Sequence, residues 1–195
     1  AQPLGSGVAG SLWAESLYLG VSVTGLALLG AWYRRDLKML ALLGIIALIL
    51  SLGRDGGLYT LFYHAVPLWS AFRYPEKLMG VASFATAMLA GAGFDALRMN
   101  KGHSLYWLVG AIICAGVGLG LRTEAVGSWV TTHYSAPQSV AREVTELGGL
   151  AFLYNAAVAL GMGLVATLSK KGSLRPAWLL TLVVALMVLD LARGN

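Results

Sequence analysis

The sequence predicts an all-α fold, a polytopic integral membrane bundle of about six transmembrane helices with interfacial helices on the outer face. Three observations predict it. Hydrophobic residues make up 57% of the 195 residues and charged ones 12%, whereas soluble domains carry about 25% charged residues. From Leu78 to Arg98 the chain runs LMGVASFATAMLAGAGFDALR, with Asp95 the only charge before the closing arginine, and a hydrocarbon core of roughly 30 Å is crossed by about 20 such residues in a helix. Basic residues also gather in short turns between stretches of this kind. Little sequence remains outside the apolar runs, so residues 1–195 read as one transmembrane domain with no room for a soluble one of about 100 residues.

The first span is expected over 16–33, and Arg34, Arg35 and Lys38 fill the tight turn into the second, 38–53. An outer interfacial segment, 54–77, leads to the third span, 78–97, in which Ser83, Ala87, Gly91 and Asp95 recur every four residues. Such a small-residue face lets a neighbouring backbone approach closely. Arg98 and Lys101 mark the next turn, and the fourth span, 105–121, carries Gly116 and Gly120 in a G-x-x-x-G. Cys114 lies inside this span as the one cysteine, so no internal disulfide forms and a buried, inert thiol is expected. A second outer segment, 122–147, contains Trp129, Tyr134 and a helix start at Ser135–Ser139. Val140, Val144 and Leu147 then share a face, with Arg142, Glu143 and Glu146 off it, which describes a helix lying on the membrane surface. The fifth span, 148–168, ends before Lys170, Lys171 and Arg175, and the sixth is 176–191. The second, fourth and sixth spans are short and need local thinning, snorkelling or shielding by neighbours.

Eight basic residues thus sit in three tight turns, while the other connections dilute theirs with acids. The positive-inside rule makes the tight turns cytoplasmic and leaves both termini of the chain outside. The net charge of +5 is then an orienting charge rather than a nucleic-acid footprint. The opening Ala1 and the ending at Asn195 both look cut, as in a piece of a longer polypeptide.

The residues richest in chemistry lie in the first outer segment, LGRDGGLYTLFYHAVPLWSAFRYPEK. Tyr59, Phe62, Tyr63, Trp69, Phe72 and Tyr74 suit headgroup depth, and Pro67 and Pro75 prevent one continuous helix. Arg73 and Lys77, four positions apart, could grip a phosphate, the guanidinium as a fork and the ammonium as a point charge. The plainer alternative is that both snorkel to ordinary lipid phosphates, with Glu76 neutralising one of them. Arg54 is a third basic candidate, and His64, Tyr74 and Glu76 stand in supporting positions. His64, His103 and His133 form no metal pattern, and no H-E-x-x-H, G-x-S-x-G or P-loop is present, so neither metal nor cofactor is expected. Asp95 and Asp190 are each followed three residues later by Arg98 and Arg193, the spacing of a helical ion pair, so structural anchoring is favoured over proton relay. Polar residues at mid-depth are too scarce for a transporter.

Three stretches together carry a family resemblance: SLWAESLYLG, then SLGRDGGLYTLFYHAVPLWSAFRYPEKLMGVASFATAMLAGAGFDAL, and last LLTLVVALMVLDLARGN. The middle one is the most specific, with L-G-R, L-Y, a proline, F-R-x-P-x-K and A-G-x-G before an acid. In these the chain resembles the bacterial YfhO-like membrane proteins, relatives of the lipid-dependent GT-C glycosyltransferases. The resemblance implies a bacterial inner-membrane protein, part of a larger one. It also implies sugar transfer from a polyprenyl-phosphate donor at the outer face, with Arg73, Lys77 and Arg54 on the lipid phosphate. The paired acids of an early outer loop find no counterpart, Glu15 being single, so the catalytic acids are expected outside this chain. The alternative is a non-catalytic membrane subunit or scaffold whose partners are lipids and other membrane proteins.

Overall fold

The structure, a computed structural model, describes residues 19–52, 58–66, 77–101, 104–134 and 137–194. The described residues form eight α-helices and no strand: α1 (Val21–Tyr33), α2 (Lys38–Ser51), α3 (Leu58–Ala65), α4 (Leu78–Arg98), α5 (Ser104–Leu121), α6 (Glu124–Tyr134), α7 (Gln138–Lys170) and α8 (Pro176–Gly194). Apolar helices therefore occupy all six expected stretches. Of these, α4, α5 and α7 are long and apolar enough to cross a membrane, while α1 and α8 are shorter apolar helices.

Large side chains face outward and small ones inward. Trp32 is 81% exposed and Ile112 62%, and Met39, Leu105, Leu119 and Leu164 are exposed with them. The interior is built largely from alanine, among them Ala27, Ala82, Ala85, Ala96, Ala111, Ala159 and Ala166, around a few larger anchors such as Leu26, Trp107, Met162 and Val183. Water would penalise that exterior heavily. Apolar surroundings do not, and there helices associate by close packing over small residues.

Two glycine contacts set the bundle. An added Cβ on Gly30 of α1 would run into the Leu89 carbonyl of α4, and one on Gly93 of α4 would run into the Leu26 carbonyl of α1. The two backbones touch with no side chain between them, and the helices run parallel. In the second contact Gly118 of α5 meets Gly149 of α7, where a Cβ on either would lie 2.8 Å from the other's carbonyl oxygen. These helices are antiparallel, as the approach of Gly163 to Trp107 and to the Ser104 carbonyl requires. Trp107 joins the two pairs, with its ring against Gly25 of α1 and its Cβ against Gly163 of α7, while the Tyr106 hydroxyl donates to the Gly25 carbonyl at 3.1 Å.

Both small-residue faces expected from the sequence are uncovered. Ala87, Gly91 and Asp95 are exposed and Ser83 is half-buried, and a Cβ at Gly91, Gly116 or Gly120 would meet nothing. The buried face of α4 is instead Ala82, Ala85, Leu89, Gly93 and Ala96. Of the first expected span, residues 16–18 lie outside the described residues, and α1 begins at Val21 after Gly20, whose φ of 76° interrupts the helical path. One boundary differs from expectation. The helix expected to lie on the surface before 148 is the first part of α7, which runs unbroken for 33 residues, about 50 Å at 1.5 Å per residue. The Gly148–Gly149 pair does not end it, since Gly149 serves the contact with α5.

This geometry brings the three tight turns to one end, where the Ser169 hydroxyl donates to the Asn100 side-chain oxygen across two of them at 3.4 Å. Asn100 (φ 57°) and Gly172 (φ 68°) close α4 and α7 in left-handed conformations, with Lys101 and Ser173 donating N–H bonds back to the Ala96 and Leu168 carbonyls. Replacing Gly93 by alanine should cost about 1–3 kcal/mol as α1 and α4 are forced apart. Gly91→Ala should be neutral or slightly stabilising, by up to about 1 kcal/mol of helix propensity. Unfolding in mild detergent distinguishes the two, and equal losses would contradict the Gly30–Gly93 contact.

Candidate functional site

Of the residues expected to hold a phosphate, Arg54, Arg73, Tyr74 and Glu76 lie outside the described residues. Lys77 is exposed at the head of α4, and His64 is exposed near the end of α3. Both lie at or beyond the end of the bundle opposite the tight turns. His103 is outside the described residues, and His133 stacks on Trp129 of α6 with centroids 4.6 Å apart. Among the described residues no group of three His, Cys, Asp or Glu could hold a metal ion.

Asp95 and Arg98 are both exposed and form no ion pair with each other. The field of Asp95 reaches Arg34 instead, at the end of the parallel α1. Arg34 is held by Asp36 through a fork of 2.9 and 2.7 Å. The hydrogen bond from Arg34 lowers the Asp36 carboxyl below its ordinary value, and the same bond raises Arg34.

Asp190 is 0% exposed, and it closes the opposite end of the same helix. Its Oδ2 accepts the Ser22 backbone N–H at 2.7 Å and the Ser22 hydroxyl at 2.5 Å. A carboxyl on α8 thus supplies the cap that α1 lacks in its own sequence, where the helix has free N–H groups and a partial positive charge. The Gly20 position tolerates nothing larger, since a Cβ there would lie 2.8 Å from the Asp190 oxygen. At the preceding residue, the Tyr154 hydroxyl of α7 donates to the Leu189 carbonyl at 2.7 Å. The side chain of Arg193, expected to pair with Asp190, lies outside the described residues, and the contact with Ser22 joins residues 168 apart.

A cleft of mixed chemistry lies between α6 and α7, with a volume of about 460 Å³. Glu124, Gly127, Ser128 and Thr131 make one wall, Gln138, Arg142, Thr145 and Glu146 the other, and Arg122 and Thr123 the floor. Each wall follows the i, i+3, i+4 spacing of one helix face. That spacing is present in the sequence, but within a connecting segment it does not show that α6 supplies a second wall. Arg142 pairs with Glu146 at 3.0 Å. A separate cavity of about 270 Å³ between α1 and α5 is almost wholly apolar, lined by Leu28, Tyr106, Val109 and Ile113 among others. Beside it, Trp107 Nε1 is buried with no hydrogen-bond partner.

No family model matches the sequence, no curated protein matches it, and no solved structure matches the fold. The class of protein defined by the fold is a helical bundle with an apolar exterior, basic at one end and carrying a charge-balanced cleft at the other.

Asp190→Ala should cost about 1–3 kcal/mol, the usual loss when buried donors are left without an acceptor. Asp190→Asn should cost less, because one carbonyl oxygen remains, and identical losses would argue against the cap. In an NMR titration Asp36 should protonate below the ordinary carboxylate range and return to it in Arg34→Gln. No change on substitution would discount the Arg34 bond as the cause.

Proposed function

We propose that the chain is the membrane portion of a YfhO-like, GT-C-type glycosyltransferase that uses a polyprenyl-phosphate-linked sugar at the outer face of the bacterial inner membrane. The six apolar stretches cross the membrane, the tight basic turns face the cytoplasm, and Arg73, Lys77 and Arg54 hold the lipid phosphate. The catalytic acids come from sequence outside this chain. The observation that carries the reading is the F-R-Y-P-E-K element leading into α4. Its last residue, Lys77, is exposed at the end of the bundle opposite the eight basic residues of the tight turns. That position suits a cation meeting a phosphate at the outer headgroup level.

A second reading, a non-catalytic subunit or scaffold, is favoured by a different observation. The face of α4 bearing Ala87, Gly91 and Asp95, together with Gly116 on α5, is uncovered among the described residues, and such faces serve helix association in lipid.

Alanine at both Arg73 and Lys77 should abolish glycan modification while membrane insertion and protein level stay unchanged. Full modification by the double variant would sink the first reading, and fixed co-purifying membrane proteins would then support the second.

A further inference from the structure

The charges of the α6–α7 cleft specify a ligand that the sugar-transfer reading does not require. Two of its four charged groups, Arg142 and Glu146, satisfy each other. The other two, Arg122 and Glu124, line the same cleft with no ion pair among the described residues. A simple anion would meet Glu124 as well as Arg122, and a simple cation would meet both in the opposite sense. A ligand carrying one positive and one negative charge satisfies both groups at once.

Arg122 is positioned rather than free to swing. Its stem lies across Gly149, where a Cβ would stand 2.5 Å from Cγ and 3.0 Å from Cδ. The glycine that lets α5 and α7 touch therefore also seats the arginine stem. The wall hydroxyls narrow the choice further. Thr123 donates to the Gly120 carbonyl, Ser128 to that of Ala125, Thr131 to that of Ser128, and Thr145 to those of Ala141 and Arg142. Their hydrogens are used within the helices, so what they offer the cleft is acceptor lone pairs. An ammonium with three N–H donors fits such a wall, whereas a trimethylated ammonium has none to give. One turn along from Glu146 on α7 and one turn before Arg122 on α5, Leu150 and Leu119 are exposed and apolar, a surface suited to acyl chains.

We propose that the α6–α7 cleft binds the headgroup of phosphatidylethanolamine, with the phosphate at Arg122 and the ammonium at Glu124 and the wall hydroxyl oxygens. The site is independent of sugar transfer and of Arg73 and Lys77. It commits to a membrane lipid rather than a soluble zwitterion, because exposed Leu119 and Leu150 stand within a turn of its charged residues.

The test is native mass spectrometry of the protein extracted from its membranes. It is exchanged into mild detergent with equal amounts of phosphatidylethanolamine, phosphatidylcholine and phosphatidylglycerol of the same acyl chains. The ethanolamine lipid should be retained about tenfold over the other two, the effect of one charge-assisted hydrogen bond. Glu124→Gln should bring it down to the level of the choline lipid and Arg122→Gln should lower retention of all three lipids, with an unchanged unfolding midpoint certifying the fold. Excess soluble glycerophosphoethanolamine should not displace the lipid. Equal retention of the three lipids, preference for phosphatidylglycerol, a preference that survives Glu124→Gln, retention unmoved by Arg122→Gln, or full displacement by the soluble headgroup would each overturn the proposal.

Discussion

The bare contact between the backbones of α1 and α4 is the constraint on which the other arrangements rest. Gly30 and Gly93 each stand against a carbonyl of the other helix, so the two axes lie as near as helices can. Nothing hydrophobic in the aqueous sense drives that approach where the surroundings are as apolar as the helices. Dispersion between closely fitted backbones takes its place, and it is lost quickly with distance. Gly25, on the same helix, then leaves the space that Trp107 fills, and Trp107 brings α5 and α7 up to the first pair. The alanine-lined interior follows, since larger residues there would hold the helices apart.

Asp190 deals with a different problem, the cost of ending a helix where water is scarce. The N-cap position of α1 is Gly20, which provides the turn and no capping side chain. The carboxyl arrives from α8 and is satisfied by a backbone N–H and a hydroxyl of one residue, Ser22. A buried acid is thus retained for its acceptors, and the last helix is tied to the first through a polar contact that has only one register.

The positions of the apolar helices are legible in the sequence because length, hydropathy and basic turns all mark the same boundaries. Which face of a helix turns inward is much less so. On α4, small residues occupy both the stripe through Ala87 and Gly91 and the stripe through Ala85, Leu89 and Gly93. Four-residue spacing is met by each, and only the partner's carbonyls choose between them. Gly118 on α5 was passed over for the Gly116–Gly120 pair for the same reason. The start of α7 was hidden by charge, because Arg142, Glu143 and Glu146 read as a surface helix when they are the protruding part of a long one. The proposed phosphate ligands were legible as a local motif. The α6–α7 cleft was not, since it requires two polar faces to be brought together by a turn.

The length of α7 has a mechanical consequence. One uninterrupted rod of 33 residues runs from the basic turn at one end to a wall of the cleft at the other, with no hinge along it. In a bilayer of about 30 Å core the cleft stands at a height set by the rod and not by loops. A thicker or thinner membrane would tilt such a rod and carry the cleft with it.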